Sequence, residues 1–161
     1  EFFRARLVAL LEDRGHVYDA VDAALSAGFS EVAALPGRLA AVEALRSSDT
    51  FDAAYPALNR VVRILPDDAS SLAAPDPDLY QVAAERDLAE AALDIGLDGM
   101  DLVPLTSALA AMQPRIDAFF DAVLVMDKDK AVRQNRLALL SVIGRHTLRI
   151  GDITKLVIAG E

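Results

Sequence analysis

Apolar residues along this chain recur at spacings of three and four, the period that places them on one side of an α-helix. Alanine and leucine dominate, runs of β-branched residues are few, and no segment shows a convincing strand pattern. The pattern predicts helices over Phe2–Asp13, Val17–Ala27, Pro36–Arg46, Thr50–Leu65, Asp76–Ile95, Asp101–Met112, from Pro114 onward and over Lys130–Ile150, with a last turn at Ile153–Ile158. We therefore predict an all-α, multi-helix bundle.

Glycine, proline and short polar residues mark the ends of the predicted helices. Gly15 is placed as the C-terminal stop of the first helix. Ser48 or Asp49 is placed to cap the helix that begins near residue 50. Pro56 lies inside that helix, and because proline removes one backbone hydrogen bond, we expect it to kink or divide the helix near Ala54.

The composition changes between residues 66 and 77 to proline, aspartate, serine and alanine, which predicts a loop. With 161 residues, 53% of them hydrophobic, the chain is long enough to bury a core of its own. We interpret it as one domain with a helical lobe over 1–65, an acidic linker over 66–77 and a second helical lobe over 78–161. A helical pattern that starts at once, without an initiator methionine, suggests a fragment of a longer protein.

The charge distribution changes what the net charge of −9 implies about nucleic acids. An acidic protein gains little from phosphate binding, which argues at first against an RNA partner. Residues 1–65 carry 7 basic and 9 acidic groups, residues 66–101 carry 1 and 10, and residues 102–161 carry 8 and 6. The middle segment therefore accounts for the whole net negative charge, and the two outer thirds can still form a basic surface.

The sequence lacks the motifs of the common catalytic and metal sites. Without cysteine there is neither a disulfide framework nor a thiolate metal site, and a reducing cytoplasm is the expected setting. The apolar runs are too short to cross a membrane. A phosphate-binding glycine loop, a Gly-x-Ser-x-Gly elbow and a His-Glu-x-x-His helix are all absent, and His16 and His146 stand alone. We predict no catalytic residue, no metal site and no cofactor in this chain.

One basic face is predicted on the helix that follows Pro56. Its apolar side consists of Leu58, Val61, Val62 and Leu65. Asn59, Arg60 and Arg63 project together from the opposite side, a combination suited to phosphate contacts and to hydrogen bonds with unstacked bases. An ordinary solvated helix face is the other interpretation of this pattern. Tyr55 could stack on a base, although packing is the commoner role for a tyrosine.

The long helix near the end of the chain places an arginine toward the core. Its buried direction is defined by Val132, Leu139, Ile143 and Ile150. Arg136 projects about 40° from that direction on a helical wheel, so we expect it to pair with a carboxylate, Asp121 or Asp117. Asn135, at the border, should satisfy backbone groups. Arg133 lies about 100° away and is available to solvent or a phosphate.

Two blocks in the last third carry a family resemblance. Ile116–Met126 (IDAFFDAVLVM) and Arg133–Leu140 (RQNRLALL) resemble the C-terminal domain of the bacterial glycyl-tRNA synthetase β subunit, which is related to the DALR anticodon-binding domain of arginyl-tRNA synthetase. Further landmarks of that family follow in order at Phe2–Leu7, Gly15–Ala23, Asn59–Leu65 and Gly151–Leu156. The sequence departs from the family at Ala122, in place of a polar residue, at Arg63, where asparagine is commoner, and at Pro56.

The resemblance implies a bundle of the class I/DALR type that docks on the anticodon region of glycine tRNA. Arg60, Arg63 and Arg133 would then meet phosphates or anticodon-loop bases, with Asn59 and Lys155 as secondary contacts. It also implies that a catalytic α subunit or region, using ATP and magnesium, carries out glycine activation and transfer. The expected partners are glycine tRNA, that α subunit or region and the rest of the β subunit, with no membrane.

Two other interpretations stay open at this point. The chain could be the DALR domain of another synthetase, such as the arginyl enzyme, although the spacing of the blocks favours glycyl. It could also be a helical protein–protein adaptor without an RNA role, in which case the basic face would be covered by a partner or serve solubility.

Overall fold

The computed structural model describes residues 2–27, 32–94 and 100–158, and within these ranges all regular structure is helical. The helices are α1 (Phe2–Asp13), α2 (Tyr18–Ser26), α3 (Leu35–Arg46), α4 (Phe51–Ile64), α5 (Ala83–Asp94), α6 (Leu102–Ala111), α7 (Gln113–Ala122) and α8 (Lys130–Ile150). Short 3₁₀ turns occur at Val32–Ala34, Ala69–Ser71, Pro77–Leu79 and Ile153–Lys155. The predicted all-α, multi-helix bundle is confirmed. Within the described ranges, none of the helices combines the length and the apolar character that a membrane crossing requires.

The long helix α8 lies in the centre and packs against α3, α4, α5 and α6. Its predicted buried direction is confirmed, since Val132, Leu139, Ile143 and Ile150 are each at most 5% exposed. Helices on both sides of the 66–77 segment contribute to one hydrophobic cluster around α8. The division into lobes 1–65 and 78–161 stays a prediction.

Helix α4 runs unbroken through Pro56. Of the two effects predicted near Ala54, the division of the helix is therefore wrong, and the kink stays a prediction. Pro56 lies on the exposed side, where water can satisfy the carbonyl group that loses its backbone donor. The capping prediction also fails, because Thr50 is the N-cap residue and makes no side-chain capping bond. Ser48 instead donates its hydroxyl proton to the carbonyl oxygen of Leu45 at 2.9 Å, near the end of α3.

The helix predicted to begin at Asp76 starts later, at Ala83, and only the 3₁₀ turn Pro77–Leu79 precedes it. Glu85 fixes the later start, because its Oε2 accepts the backbone N–H groups of Gln81 at 2.6 Å and Val82 at 2.9 Å. These donors have no partner inside the helix and need a side-chain acceptor. The predicted end at Ile95 lies outside the described residues.

The 66–77 segment lies against α8 rather than extending from the bundle. Asn135 binds the backbone of Asp76 twice, accepting its N–H at 2.6 Å and donating to its carbonyl oxygen at 2.9 Å. The prediction that Asn135 satisfies backbone groups is therefore confirmed.

After α8, the chain packs against helices from the N-terminal part of the sequence. Asp152 accepts the backbone N–H of Thr154 at 3.1 Å and starts the last 3₁₀ turn. Beyond it, the buried carboxylate of Asp19 on α2 accepts the N–H of Val157 at 2.9 Å. The hydroxyl group of Tyr55 on α4 donates to the carbonyl oxygen of Leu156 at 3.3 Å. The first bond holds residues 156–158 to α2 and the second holds them to α4.

Candidate nucleic-acid interface

The two sides of α4 separate as the sequence predicts. Leu58 and Val61 are fully buried. Arg60 and Arg63 are exposed, and Asn59 is half-buried between the two sides. The predicted basic face of α4, formed by Asn59, Arg60 and Arg63, is thus present at the surface.

This face borders a groove of about 650 Å³. Asn59, Arg60 and Arg63 form its α4 side, and Thr154 together with residues 156–158 forms the other side. A volume in the range of ~300–1,000 Å³ is typical of sites that take small organic groups. The groove therefore combines a basic wall with room for a nucleotide base.

Arg60 lies over an aromatic ring. Its guanidinium carbon is 4.0 Å from the centre of the Phe120 ring, a distance at which cation–π attraction is favourable. Phe120 is itself buried and meets Phe119 edge to face, with 5.6 Å between the ring centres. The ring fixes the position of the charged group of Arg60 and leaves the residue exposed.

Arg63 and Asn59 are joined by a hydrogen bond of 3.2 Å from Nε of the arginine to Oδ1 of the asparagine. Four residues apart on one helix, they are neighbours on its surface. In the part of the chain that the structure describes, Arg60 and Arg63 form no ion pair with a carboxylate; the ion pairs involve Arg4, His16, Arg46 and Arg136. No carboxylate among the described residues therefore neutralises the positive charge of the α4 face.

The other two residues predicted to contact RNA lie at different distances from this groove. Lys155 is exposed and stands between the lining residues Thr154 and Leu156. Arg133 is half-buried in the first turn of α8, is not among the residues lining the groove, and donates to the carbonyl oxygen of Asp127 at 2.8 Å. The roles of all five residues in RNA binding stay predictions.

Tyr55 has the packing role that is commoner for a tyrosine. It is 6% exposed and its ring lies 5.3 Å from that of Phe51. Tyr55 also lines the groove, and its hydroxyl group donates to the carbonyl oxygen of Leu156 on the opposite wall.

Arg136 is buried as predicted, but the predicted carboxylate partners are wrong. Its Nε donates to Glu85 Oε1 at 2.8 Å, and its NH1 donates to Asp127 Oδ2 at 2.8 Å. Asp121 is exposed, and Asp117 instead accepts a hydrogen bond from Gln113. The reason is the packing of the helices: α7 packs on α4 and α5, whereas α5 brings its first turn against α8.

Two further acceptors complete the surroundings of Arg136. Its NH2 donates to the side-chain oxygen of Gln81 at 3.1 Å, and its NH1 also donates to the carbonyl oxygen of Leu124 at 3.1 Å. The buried guanidinium group therefore joins the start of α5 to the loop between α7 and α8. These ion pairs and hydrogen bonds compensate for the loss of water around the charge, which is the condition for burying an arginine.

Both carboxylates around Arg136 are held in the charged form. Burial raises the pKa of Glu85, but hydrogen bonds from Arg136 and from the N–H groups of Val82 and Gln81 outweigh it and keep the pKa below its ordinary value. The pKa of Asp127 is lowered by the backbone N–H of Asp129 and by Arg136. The cluster is thus a structural ion-pair network away from the groove.

Comparison with known proteins relates the chain to one subunit type. It is 39% identical over 163 residues to the glycine–tRNA ligase β subunit of Geobacter metallireducens and 38% identical over 164 residues to that of Trichlorobacter lovleyi. It is 37% identical to the β subunit of Moorella thermoacetica. These alignments cover 97–98% of the chain. The chain is homologous to one region of the glycine–tRNA ligase β subunit.

The resemblance inferred from the sequence blocks is therefore confirmed for the glycine–tRNA ligase β subunit. The chain spans about 23% of the length of these relatives and therefore corresponds to one region of such a subunit. No protein-family model matches the chain.

Proposed function

We propose that this region of a glycine–tRNA ligase β subunit binds tRNA, with the anticodon arm of glycine tRNA resting on the basic face of α4. The observation that carries the proposal is the groove bordered by Arg60 and Arg63, two exposed arginines without a carboxylate partner among the described residues. Exposed arginines of this kind neutralise phosphates, and adjacent amide groups bind base edges.

In this proposal the region supports ligation that is carried out elsewhere in the enzyme. Glycine activation with ATP and magnesium belongs to the α subunit or catalytic region, and the rest of the β subunit holds the helical bundle in place within a cytoplasmic enzyme. The name shared by the relatives supports glycine tRNA over the tRNA of another synthetase.

The net charge of the chain affects how the RNA is selected. A surface that holds only a few cations on an acidic protein gives little non-specific attraction, since that attraction grows with the number of phosphates neutralised. Contacts to bases must therefore provide a larger share of the binding free energy than they do in a strongly basic protein.

The first prediction concerns the two arginines of the α4 face. In the complete enzyme, Arg60→Ala/Arg63→Ala should weaken the binding of a glycine tRNA transcript on the order of tenfold or more, because two charge-assisted contacts are lost. The dependence of log affinity on log salt concentration should become shallower by about 1 to 2, since fewer counterions are released. Fluorescence anisotropy at several salt concentrations measures both quantities.

The matched control is Arg86→Ala, which removes one exposed arginine from α5, where it lines a different pocket. It should leave the affinity nearly unchanged. Transcripts with altered anticodon bases should bind the wild-type enzyme more weakly than the normal transcript does. Equal binding of every transcript by the wild-type enzyme and by both variants would remove the proposal and favour the adaptor interpretation.

A further inference from the structure

Helix α1 has an apolar side that the other described helices cover incompletely. None of residues 3–13 is buried, whereas each of the other helices buries at least one side chain in the core. The helix packs mainly on α2. A helix of this length is only marginally stable in water by itself, and most of its stability has to come from packing of its apolar side. A further surface that packs on α1 would provide this stability.

The incompletely covered part of α1 is a stripe of three large apolar residues. Phe3, Leu7 and Leu10 follow one another at spacings of four and three, which places them on one side of the helix. Leu7 is half-buried, while Phe3 and Leu10 are 56% and 45% exposed. We call these three residues the α1 stripe. Their spacing is the one by which an amphipathic helix docks on an apolar surface of a partner.

Contacts at both ends of α1 fix the direction in which the stripe points. At the first turn, Arg4 donates a hydrogen bond to the carboxylate of Asp22 on α2. At the other end, the chain turns at Gly15, where φ is +93°, and leads back into α2. Val17 and Tyr18, directly after this turn, are 51% and 58% exposed and add apolar surface at that end.

We propose that the α1 stripe docks against a helix from the part of the glycine–tRNA ligase β subunit that lies outside this chain. The chain spans about 23% of the length of its relatives, so most of such a subunit lies outside it. The size of the stripe favours a partner in the same polypeptide. Three side chains bury far less than the ~1,200 Å² of a specific interface between separate proteins. A tethered segment docks at a high effective concentration and can use a smaller area.

The end of α1 indicates the charge that the docked helix carries. Glu12 and Asp13 are exposed in the last turn and form no ion pair within the described ranges. Carboxylates at this end are unfavourable, because the C-terminal end of a helix already carries a partial negative charge. A lysine or arginine of the docked helix beside these carboxylates would offset the repulsion. The partner is therefore an amphipathic helix with an apolar side and a basic residue. The same carboxylates disfavour RNA at this surface.

Thiol labelling measures whether the stripe is covered, because the chain has no cysteine of its own. Leu10→Cys is compared with Ala9→Cys, which places the thiol on the exposed side of α1, about 100° away. Each variant is made in the 161-residue chain and in the complete enzyme, and mass spectrometry of the labelled peptide follows the reaction with a maleimide. From the chain to the enzyme, the reaction of Leu10→Cys should slow about tenfold or more and that of Ala9→Cys less than about threefold, since labelling requires access to the thiol.

A second pair of substitutions tests the charge of the partner. In the complete enzyme, adding Glu12→Gln/Asp13→Asn to Leu10→Cys should speed the labelling several-fold, because the docked helix loses the carboxylates that its basic residue faces. In the 161-residue chain the same substitutions should leave the rate unchanged. An unchanged rate in the enzyme would overturn the basic residue assigned to the partner.

Photo-crosslinking of the purified enzyme identifies what covers the stripe. With Leu10→p-benzoylphenylalanine, irradiation should join α1 to a peptide of the same β subunit that lies outside the 161 residues, and the mass of the β subunit on a denaturing gel should not change. A doubled mass would show a second copy as the occupant, and a link to the α subunit or to added tRNA would show another partner. Each of these results would overturn the proposal.

Two further results would also contradict docking through the stripe. One is that Leu10→Cys reacts at the same rate in the chain and in the enzyme, and the other is that both thiols slow by the same factor. The inference does not depend on RNA binding by the α4 face, because none of these measurements uses the affinity for tRNA.

Discussion

At the scale of single residues, two arginines of similar sequence context have opposite environments. Arg60 is exposed above an aromatic ring, whereas Arg136 is 4% exposed among two carboxylates, a glutamine and a carbonyl group. The helical wheel predicts this difference, because only Arg136 projects toward the apolar side of its helix. An arginine on that side must be paired, and an arginine on the other side is available to a ligand.

The second prediction tests the buried arginine. Arg136→Met should lower the free energy of unfolding of the 161-residue chain by about 3–5 kcal/mol, because the substitution leaves the buried carboxylate of Glu85 without its counterion. Chemical denaturation at neutral pH measures this loss. In Arg136→Met/Glu85→Gln most of the stability should return, since the glutamine oxygen still accepts the N–H groups of Gln81 and Val82 while the unpaired charge is gone. A loss below about 1 kcal/mol in the single variant would contradict the role assigned to this pair.

The partners of Arg136 show which part of a site a sequence predicts. Burial of the arginine follows from helical periodicity, which is a local property. Its partner Glu85 lies 51 residues away and is brought to α8 by the packing of α5, which no local pattern describes. Asp117 and Asp121 are nearer in sequence, but α7 packs on α4 and α5 instead.

At the scale of elements, helix boundaries were predictable where the signal was a capping group close in sequence. Asp129 caps α8 by accepting the N–H groups of Ala131 and Val132, and the predicted start at Lys130 is confirmed. Pro56 does not divide α4, because a proline on the solvent side removes one backbone hydrogen bond while the opposite side of the helix stays packed in the core. The start of α5 was missed because its cap, Glu85, lies inside the helix and reaches back to the residues before it.

The third prediction compares two glycines at different points along α8. Gly151 ends the helix where the chain meets α2 and α3, and an added Cβ would lie 2.8 Å from Val42 Cγ2 and 3.2 Å from the carbonyl oxygen of Ala23. Gly151→Ala should therefore destabilise the chain by about 1–3 kcal/mol, because neither buried group can move away freely. At Gly144, an added Cβ would meet only the end of the Leu65 side chain.

Gly144→Ala is the matched control for that prediction. The half-buried Leu65 can rotate, and alanine gains up to about 1 kcal/mol over glycine inside a helix, so the net effect should be near zero. Thermal unfolding of both variants gives the comparison. Equal destabilisation by the two substitutions would show that the close approach at Gly151 is not the constraint.

At the scale of the whole molecule, the candidate site is assembled from distant parts of the chain. The basic side of the groove was predictable, since Asn59, Arg60 and Arg63 lie within one turn and a half of helix. The second wall, residues 154–158, has no local signal, because it is placed beside α4 by contacts that span 101 and 138 positions in sequence. Phe120 beneath Arg60 likewise results from the packing of α7 on α4.

The last prediction tests this assembly through Asp19, which is buried on α2 and lines no part of the groove. Its carboxylate binds Arg46 and the backbone N–H of Val157 together, and so fixes the second wall. Asp19→Ala should lower the free energy of unfolding of the chain by about 1–3 kcal/mol, because the partly exposed guanidinium group of Arg46 and the backbone N–H of Val157 lose their buried acceptor. In the complete enzyme it should also weaken tRNA binding several-fold.

The direction of the change in tRNA affinity distinguishes displacement of the second wall from the effect of removing a negative charge. Removing a negative charge from an acidic protein reduces its repulsion of phosphates, so charge alone would strengthen RNA binding. Asp87→Ala, which removes an exposed carboxylate from α5, should leave the affinity unchanged or slightly raise it. If Asp19→Ala binds tRNA as tightly as Asp87→Ala while remaining folded at the temperature of the assay, the wall held by Val157 does not contribute to the RNA site. A weaker affinity for Asp19→Ala alone would mean that a buried acid, far from the arginines in sequence, positions half of the surface on which the RNA rests.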